Sequence, residues 1–264
     1  MRTYGRLLVS GFHEASHYRL AAFAGLVANV TFGFLKSAVL FATVDASGGH
    51  LRGYAVGSMS AYVWLSQGML GLVNLSGGHE LGDRIRTGDI AVDFARPVDL
   101  QLCYLARFVG ARAFSLLPRG LPSVAVGALV VGMAMPSSVT PYLLGLVSLL
   151  LGVAVSFACV YVIHVIGFWL VETRGLQILY MVVSGFFAGL FVPLPLFPGW
   201  LLAIADATPF PSVLMTPVDV LSGRVSDVAA VHAVLLQVAW LAGTLLVGRV
   251  LTGAGLRKLE VQGG

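Results

Sequence analysis

A compact charged stretch, residues 77–89, lies between two long apolar stretches and holds the side chains best placed for polar chemistry. In a short helix that starts near His79, polar residues recur at positions i, i+3, i+4 and i+7 and share one side. They are Glu80, Asp83, Arg84 and Thr87. Leu81 and Ile85 form an apolar pair at i and i+4 on another side, with Arg86 beside them. This surface can dock on a soluble partner. A solvated loop helix whose charges keep it out of lipid is the alternative, and the residues alone favour the two equally.

More charges follow this stretch, and their spacing predicts pairing. They are Asp89, Asp93, Arg96 and Asp99, ahead of Arg107 and Arg112. These side chains can pair with one another and close a hairpin before the next apolar stretch, although each exposed pair contributes only about 0–1 kcal/mol. A direct contact with a partner protein is the alternative, and the hairpin clasp is favoured.

The composition places the elements that position these charges in a membrane. Of the 264 residues, 58% are hydrophobic and 11% are charged, and the mean hydropathy is +0.90. Soluble proteins carry about 25% charged residues. Apolar runs of about 18 residues or more predict membrane-spanning helices, because lipid offers the backbone no hydrogen-bond partner. Six spans are predicted, at residues 20–43, 54–76, 114–135, 141–169, 175–194 and 229–252.

The distribution of basic residues predicts the orientation of these spans. With the N-terminus inside, thirteen lysines and arginines fall in the cytosol or at its interface, whereas only Arg52 and Arg224 fall outside. Such a bias favours cytosolic N- and C-termini. The preference for arginine over lysine, with much alanine, glycine and valine, hints at a GC-rich bacterium. A multi-pass protein of the bacterial inner (cytoplasmic) membrane is therefore expected.

Two further segments complete an all-α integral membrane protein that forms one domain over residues 1–264. Residues 1–19 predict an amphipathic helix, with basic side chains on one side and apolar ones opposite, that lies in the lipid headgroup layer. An ordinary solvated lead-in to the first span is the alternative. Residues 195–228 combine prolines with aromatic residues and predict short external helices, broken or re-entrant, before the sixth span.

Three ionisable residues lie deep in apolar sequence: Lys36, His164 and Glu172. Intramembrane charges usually face a cavity or a partner, because burying them in lipid is costly. Lys36 is therefore a candidate for a translocation path or a dimer interface, and snorkelling toward the outer headgroups is the equal alternative. His164 is interpreted as a core residue rather than a proton relay, and Glu172 as the partner of Arg174 in a cytosolic turn.

The sequence contains no motif for nucleotide or metal binding. Its only lysines, Lys36 and Lys258, follow no glycine-rich loop, so the phosphate-cradling motif is absent. Cys103 and Cys159 have no partners at metal-site spacing. No cofactor is expected on this chain, and any ATP-driven activity requires a separate motor.

Two stretches resemble the six-span branch of the ABC-2-type permeases. Residues 84–98, Arg-Ile-Arg-Thr-Gly-Asp-Ile-Ala-Val-Asp-Phe-Ala-Arg-Pro-Val, are similar to that branch's basic, glycine and aspartate run ending in Arg-Pro-Val after span two. The second stretch is similar to its Ser-Gly, Phe-Pro-Gly-Trp, Pro-Phe, Pro and Gly-Arg series. It comprises Ser184-Gly185, residues 196–201, Pro209-Phe210, Pro217 and Gly223-Arg224. The order of the spans, the N-terminal helix and the external insert also agrees.

The resemblance implies the membrane subunit of an ABC transporter, in which residues 77–90 form the coupling helix that receives movement from an ATPase. The residues expected to make this coupling contact are Glu80, Leu81, Asp83, Arg84, Ile85 and Arg86. Two permease chains would pair, as a homodimer or with a sister permease, and would dock two copies of the ATPase. ATP and Mg²⁺ would be used by that partner, and the family tendency is export.

By the same analogy, spans one, two and five line the path between the two permeases. The expected substrate-path residues are Phe34, Lys36, Tyr62, Trp64, Phe186 and Phe187. Aromatic rings suit an amphipathic cargo such as a drug, a cationic dye, an antibiotic or a lipid. For each ring, contact with bilayer lipid is the alternative.

Other function classes predict different features. An ion-coupled secondary transporter, the main alternative, predicts inverted repeats and paired broken helices near the middle of the membrane, and the sequence contains neither. An integral-membrane enzyme predicts a cluster of catalytic residues near a membrane face, which is also missing. A non-transporting scaffold or immunity protein stays open.

Overall fold

The computed structural model describes residues 2–76, 80–170 and 172–262, and these residues form thirteen α-helices. The helices are α1 (Arg2–Ser16), α2 (Arg19–Ala46), α3 (Val56–Met69), α4 (Glu80–Thr87), α5 (Ile90–Phe94), α6 (Leu100–Ser115), α7 (Leu121–Val126), α8 (Thr140–Val165), α9 (Arg174–Phe187), α10 (Gly199–Asp206), α11 (Phe210–Val213), α12 (Met215–Leu221) and α13 (Asp227–Gln262). Over the described ranges, the only β pairing is an isolated bridge between Leu51 and Tyr54. The all-α prediction is confirmed.

Four helices are long and apolar enough to cross a membrane. They are Arg19–Ala46, Leu100–Val131, Thr140–Phe168 and Asp227–Lys258. The second of these is continuous because two π-helical stretches, Leu116–Gly120 and Gly127–Val131, join and extend α6 and α7. Four of the six predicted spans therefore coincide with helices of sufficient length.

The other two predicted spans contain shorter helices. The helices α3 and α9 have 14 residues each, or about 21 Å at 1.5 Å per residue, against a hydrocarbon core of about 30 Å. The early end of α9 has a local cause. Gly189 has a φ of 74°, its N–H donates to Phe186, and the Leu190 N–H donates to Gly185. This pair of bonds is the Schellman ending of a helix.

The helix α3 forms the centre of the bundle, since every residue from Met59 to Met69 is buried. The Trp64 ring lies between Gly33 of α2 and Gly127 of the long helix Leu100–Val131, and neither glycine has room for a side chain. The three helices therefore meet around one indole ring, which fixes α2 and Leu100–Val131 on either side of α3.

The N-terminal helix α1 packs along α6 instead of standing apart from the bundle. A Cβ atom on Gly11 would overlap the Arg107 carbonyl group, and one on Gly110 would overlap the carbonyl of Leu8. Phe12 adds an edge-on contact with Phe114, with ring centroids 5.5 Å apart. The two backbones are thus in direct contact, and α1 is anchored to the start of the long helix Leu100–Val131.

The segment predicted as short external helices, residues 195–228, contains α10, α11 and α12 at the end of the bundle opposite α4. Arg52, from the loop between α2 and α3, donates to the carbonyl oxygens of Pro195 and Phe197 at 3.4 and 3.3 Å. Trp200 is 67% exposed, whereas Phe197 is buried and stacks on Phe186 with centroids 4.9 Å apart. Phe197 is therefore a packing residue and not the surface anchor that its aromatic type suggests.

Candidate functional site

The charged stretch between the second and third spans forms α4, an eight-residue helix. Its acidic residues, Glu80 and Asp83, lie in the first turn and its basic residues, Arg84 and Arg86, lie in the last. This order matches the helix macrodipole, which favours negative charge at the N-terminus and positive charge at the C-terminus. The predicted start of the helix, residues 77–79 with His79, lies outside the described residues.

One face of α4 is anchored to its own chain. Leu81 is fully buried, and Ile85 packs on the hydrophobic core. Gly82 lies directly against the imidazole of His164 at the end of α8, so close that a Cβ atom would overlap the ring. Leu81 is therefore an internal anchor in this conformation and is not available to a partner, and His164 is the buried core residue that supports α4.

The short helix α5 is tied to α4 through a buried carboxylate. Arg84 Nε donates to Asp93 Oδ2 at 2.6 Å, and the Tyr104 hydroxyl donates to the same oxygen at 2.9 Å. Arg96 approaches the other carboxylate oxygen at 3.7 Å. The hydrogen bond to the Asp93 carboxylate raises the pKa of Arg84. Of the ion pairs predicted for the clasp, the described residues form only the one between Asp93 and Arg96, and the shorter contact of Asp93 is with Arg84, which the prediction did not include.

Arg107 of α6 joins three helices at this end of the bundle. Its guanidinium contacts Glu14 of α1 at 2.8 Å and Glu80 of α4 at 3.1 Å. The sequence pattern predicted a partner for Arg107 among the nearer acidic residues, but the long side chain reaches across to α1 and α4 instead. A cavity of about 320 Å³ beside this bridge is lined partly by Arg84, Arg96 and Arg107.

Asp99 connects the start of α6 to the last helix. Its side chain caps α6 by accepting from the Leu102 N–H at 2.9 Å and also binds Arg249 of α13. Partial burial raises the pKa of Asp99, but the bonds from Leu102 and Arg249 outweigh it and hold the pKa below its ordinary value. The Arg112 side chain, a second predicted partner, donates to the Gly71 carbonyl at 3.3 Å instead.

The remaining surface of α4 and α5 is open to solvent. The side chains of Asp83 and Arg86 are 77% and 63% exposed, and they form only a long contact of 3.5 Å with each other. Val92 of α5, which the sequence interpretation missed, is 58% exposed. The signal that could have revealed Val92 is an apolar residue at an exposed position of α5, two residues after Ile90. Exposed charges on α4 and an exposed apolar side chain on α5 are thus presented by two helices whose other faces are packed on the chain.

Replacing Arg107 by glutamine is expected to loosen α1 while leaving the bundle folded. Both ion pairs are lost, but each is partly exposed and contributes only about 0–1 kcal/mol. Hydrogen exchange of residues 2–16 should therefore rise severalfold, with a small fall in melting temperature. The matched control is Arg86→Gln, whose only described ion pair lies within α4. Equal exchange of α1 in the two variants would contradict the bridging role of Arg107.

The residues predicted to line a substrate path occupy two different environments. Tyr62 and Trp64 are buried inside the chain, and the Tyr62 hydroxyl donates to the Gly189 carbonyl at 2.6 Å. Phe34 and Phe186 are 42% and 38% exposed. Phe187 is partly buried beside Phe186, with ring centroids 5.5 Å apart.

Lys36 lies between these two environments. Its ammonium donates to the Leu190 carbonyl at 2.6 Å and lies 4.3 Å from the centre of the Tyr62 ring. The structure thus brings Lys36 together with Tyr62, and it brings Phe34 together with Trp64 at a centroid distance of 5.1 Å.

The fold and the α4 site define a multi-pass α-helical membrane protein with a charged helix held at one end of its bundle. The sequence profile described as "ABC-2 family transporter protein" matches residues 27–263. The chain therefore belongs to the ABC-2 transporter family, whose members are membrane transport components that work with an ABC ATPase and are not ATPases themselves. No curated protein matches the chain.

Proposed function

We propose that this chain is the permease subunit of an ATP-driven exporter of amphipathic small molecules, and that α4 is its coupling helix. The observation that carries the proposal is the division of α4 into two faces. Leu81 and Gly82 fix the helix to α8 and the core, while Asp83 and Arg86 extend into solvent. A rigid helix with an exposed charged face can receive displacement from a soluble motor and pass it to the bundle.

In this proposal all six predicted segments cross the bacterial inner membrane, with α3 and α9 as short spans. The α4 end and both termini face the cytosol, and residues 195–228 face outward. Two permease chains pair, either as identical copies or with a sister chain, and each docks one ATPase that uses ATP and Mg²⁺. The excess of arginine at the α4 end supports this orientation.

Reversing the two exposed charges of α4 is expected to separate the permease from its motor. The double variant Asp83→Arg with Arg86→Glu keeps the net charge unchanged. A groove of the ATPase that is complementary to the wild type would then face a charge of its own sign at both positions. Juxtaposed like charges cost several kcal/mol, so co-purification with the partner ABC ATPase should fall by at least about tenfold. Pull-down from detergent-solubilised membranes measures this.

The matched control for this experiment is Asp45→Arg, an exposed charge reversal at the far end of the bundle. It should leave co-purification unchanged. Retention of the ATPase by the α4 variant, or transport that survives ATP depletion but stops with an uncoupler, would contradict the proposal. The second result would favour an ion-coupled secondary transporter.

A further inference from the structure

A lateral cavity of about 590 Å³ lies beside α2, between α3 and residues 190–192. We define it by Phe32, Lys36, Val39, Gln67 and Phe191, which are among its lining residues. Its volume is in the range of small-molecule pockets, which run from about 300 to 1,000 Å³. Phe32, Val39 and Phe191 are each more than half exposed, so the cavity opens on the outer side of the bundle.

The polar groups of the lateral cavity are few and are arranged around one cation. The Schellman ending of α9 turns the Leu190 carbonyl toward α2, where it accepts from the Lys36 ammonium. Ser66 Oγ accepts a second bond from Lys36 at 3.3 Å. An ammonium has three donors, so these two contacts leave one for a bound group.

The charge of Lys36 has no counter-ion in the described part of the chain. None of the ion pairs formed by those residues includes Lys36, and its contacts are a carbonyl, a hydroxyl and the Tyr62 ring. A cation in such apolar surroundings is costly unless it meets an anion, and in a water-poor site the attraction between the two is strong. The Lys36 ammonium at the wall of the cavity therefore lacks an anionic partner among the described residues.

A second group in the lateral cavity also lacks a partner. The side-chain oxygen of Gln67 is buried and accepts no hydrogen bond from the residues that the structure describes, although the Gln67 backbone carbonyl accepts from Asn29 at 3.0 Å. Buried polar atoms are normally satisfied, so an orphan beside a cavity indicates a missing ligand group. A hydroxyl or N–H close to the anionic group of the ligand would satisfy it.

We propose that the lateral cavity binds a single-tailed amphipathic acid, whose anionic head pairs with Lys36 and whose apolar tail lies against Phe32, Val39 and Phe191. This rests on the proposed export function and specifies the class of its cargo. Cationic amphiphiles are excluded by charge, since they would place a second positive group beside Lys36. Neutral amphiphiles leave the ammonium without a counter-ion.

The test uses the full-length permease in nanodiscs of phosphatidylcholine and the fluorescent probe 11-(dansylamino)undecanoic acid, with its methyl ester as the uncharged control. The wild type should bind the acid at least about tenfold more tightly than the ester, the factor that corresponds to about 1.4 kcal/mol. In Lys36→Met this preference should disappear, and in Lys36→Arg it should be retained. Lys258→Met, the only other lysine, should behave as the wild type.

Three outcomes would overturn the proposal. Equal binding of acid and ester by the wild type, or a preference that survives in Lys36→Met, removes Lys36 as the anion partner. Loss of probe binding when phosphatidylglycerol is added to the nanodiscs assigns the cavity to a bilayer lipid. A shift of Lys36→Met from dimer to monomer, with no probe binding by the wild type, assigns it to a second copy of the chain. Each can occur while the ATPase still co-purifies, so the proposed function is judged separately.

Discussion

The variant Gly110→Val is expected to detach α1 from the bundle. A Cβ atom added to Gly110 would already overlap the Leu8 carbonyl. This obstacle is backbone, which cannot move aside as a flexible side chain can. The bulkier valine must therefore push α1 away and break the facing contact at Gly11. Hydrogen exchange of residues 2–16 should rise by about tenfold or more, since local opening of a helix is read directly from its exchange.

The same chain provides a matched control for this variant. Gly5 lies on α1 with nothing near the place of its missing side chain. The variant Gly5→Val should leave exchange over residues 2–16 close to that of the wild type. If Gly5→Val and Gly110→Val behave alike, close packing of α1 on α6 does not hold the N-terminal helix in place.

The variant Gly82→Ala is expected to disturb the packing that supports α4. Alanine favours a helix over glycine by up to about 1 kcal/mol, so the intrinsic effect is stabilising. Against this, its methyl group overlaps the buried His164 ring, and overpacking of a filled core costs about 1–3 kcal/mol. The melting temperature of Gly82→Ala should therefore fall, and ATP-driven transport by the complex should fall with it.

A double-mutant cycle isolates the contact between Gly82 and His164. In a His164→Ala background the space is open, so Gly82→Ala should become neutral or stabilising, with a coupling of about 0.5–3 kcal/mol. The control is Gly243→Ala on α13, where a methyl group meets nothing within 4 Å. Additive effects of the two changes would show that the overlap with His164 is not the cause.

The local features of the fold could be predicted from the sequence because they depend on short-range patterns. Hydropathy located four long helices, and the clustered charges located α4. The length of α9 could not be predicted, because the apolar sequence continues past the point where Gly189 turns the chain. The resemblance to the ABC-2-type permeases predicted the protein family, and the family profile that matches residues 27–263 confirms it.

Contacts between distant segments could not be predicted from spacing. Asp99 and Arg249 are 150 residues apart, and nothing local to either residue indicates the other. Leu81 was interpreted as a partner contact because its helical face was known but its neighbour α8 was not. The Trp64 indole illustrates the same problem, since only the approach of Gly33 and Gly127 decides that it is enclosed. Gln67 and Asn29 were visible as polar residues in apolar stretches, a signal that would have located the lateral cavity.

The placement of α4 against both Arg107 and His164 has a mechanical consequence. Arg107 belongs to the long helix Leu100–Val131 and His164 to the long helix Thr140–Phe168, so α4 contacts two neighbouring long helices of the bundle. A displacement of α4 would therefore act directly on both of these helices, through an ion pair on one and a packed imidazole ring on the other.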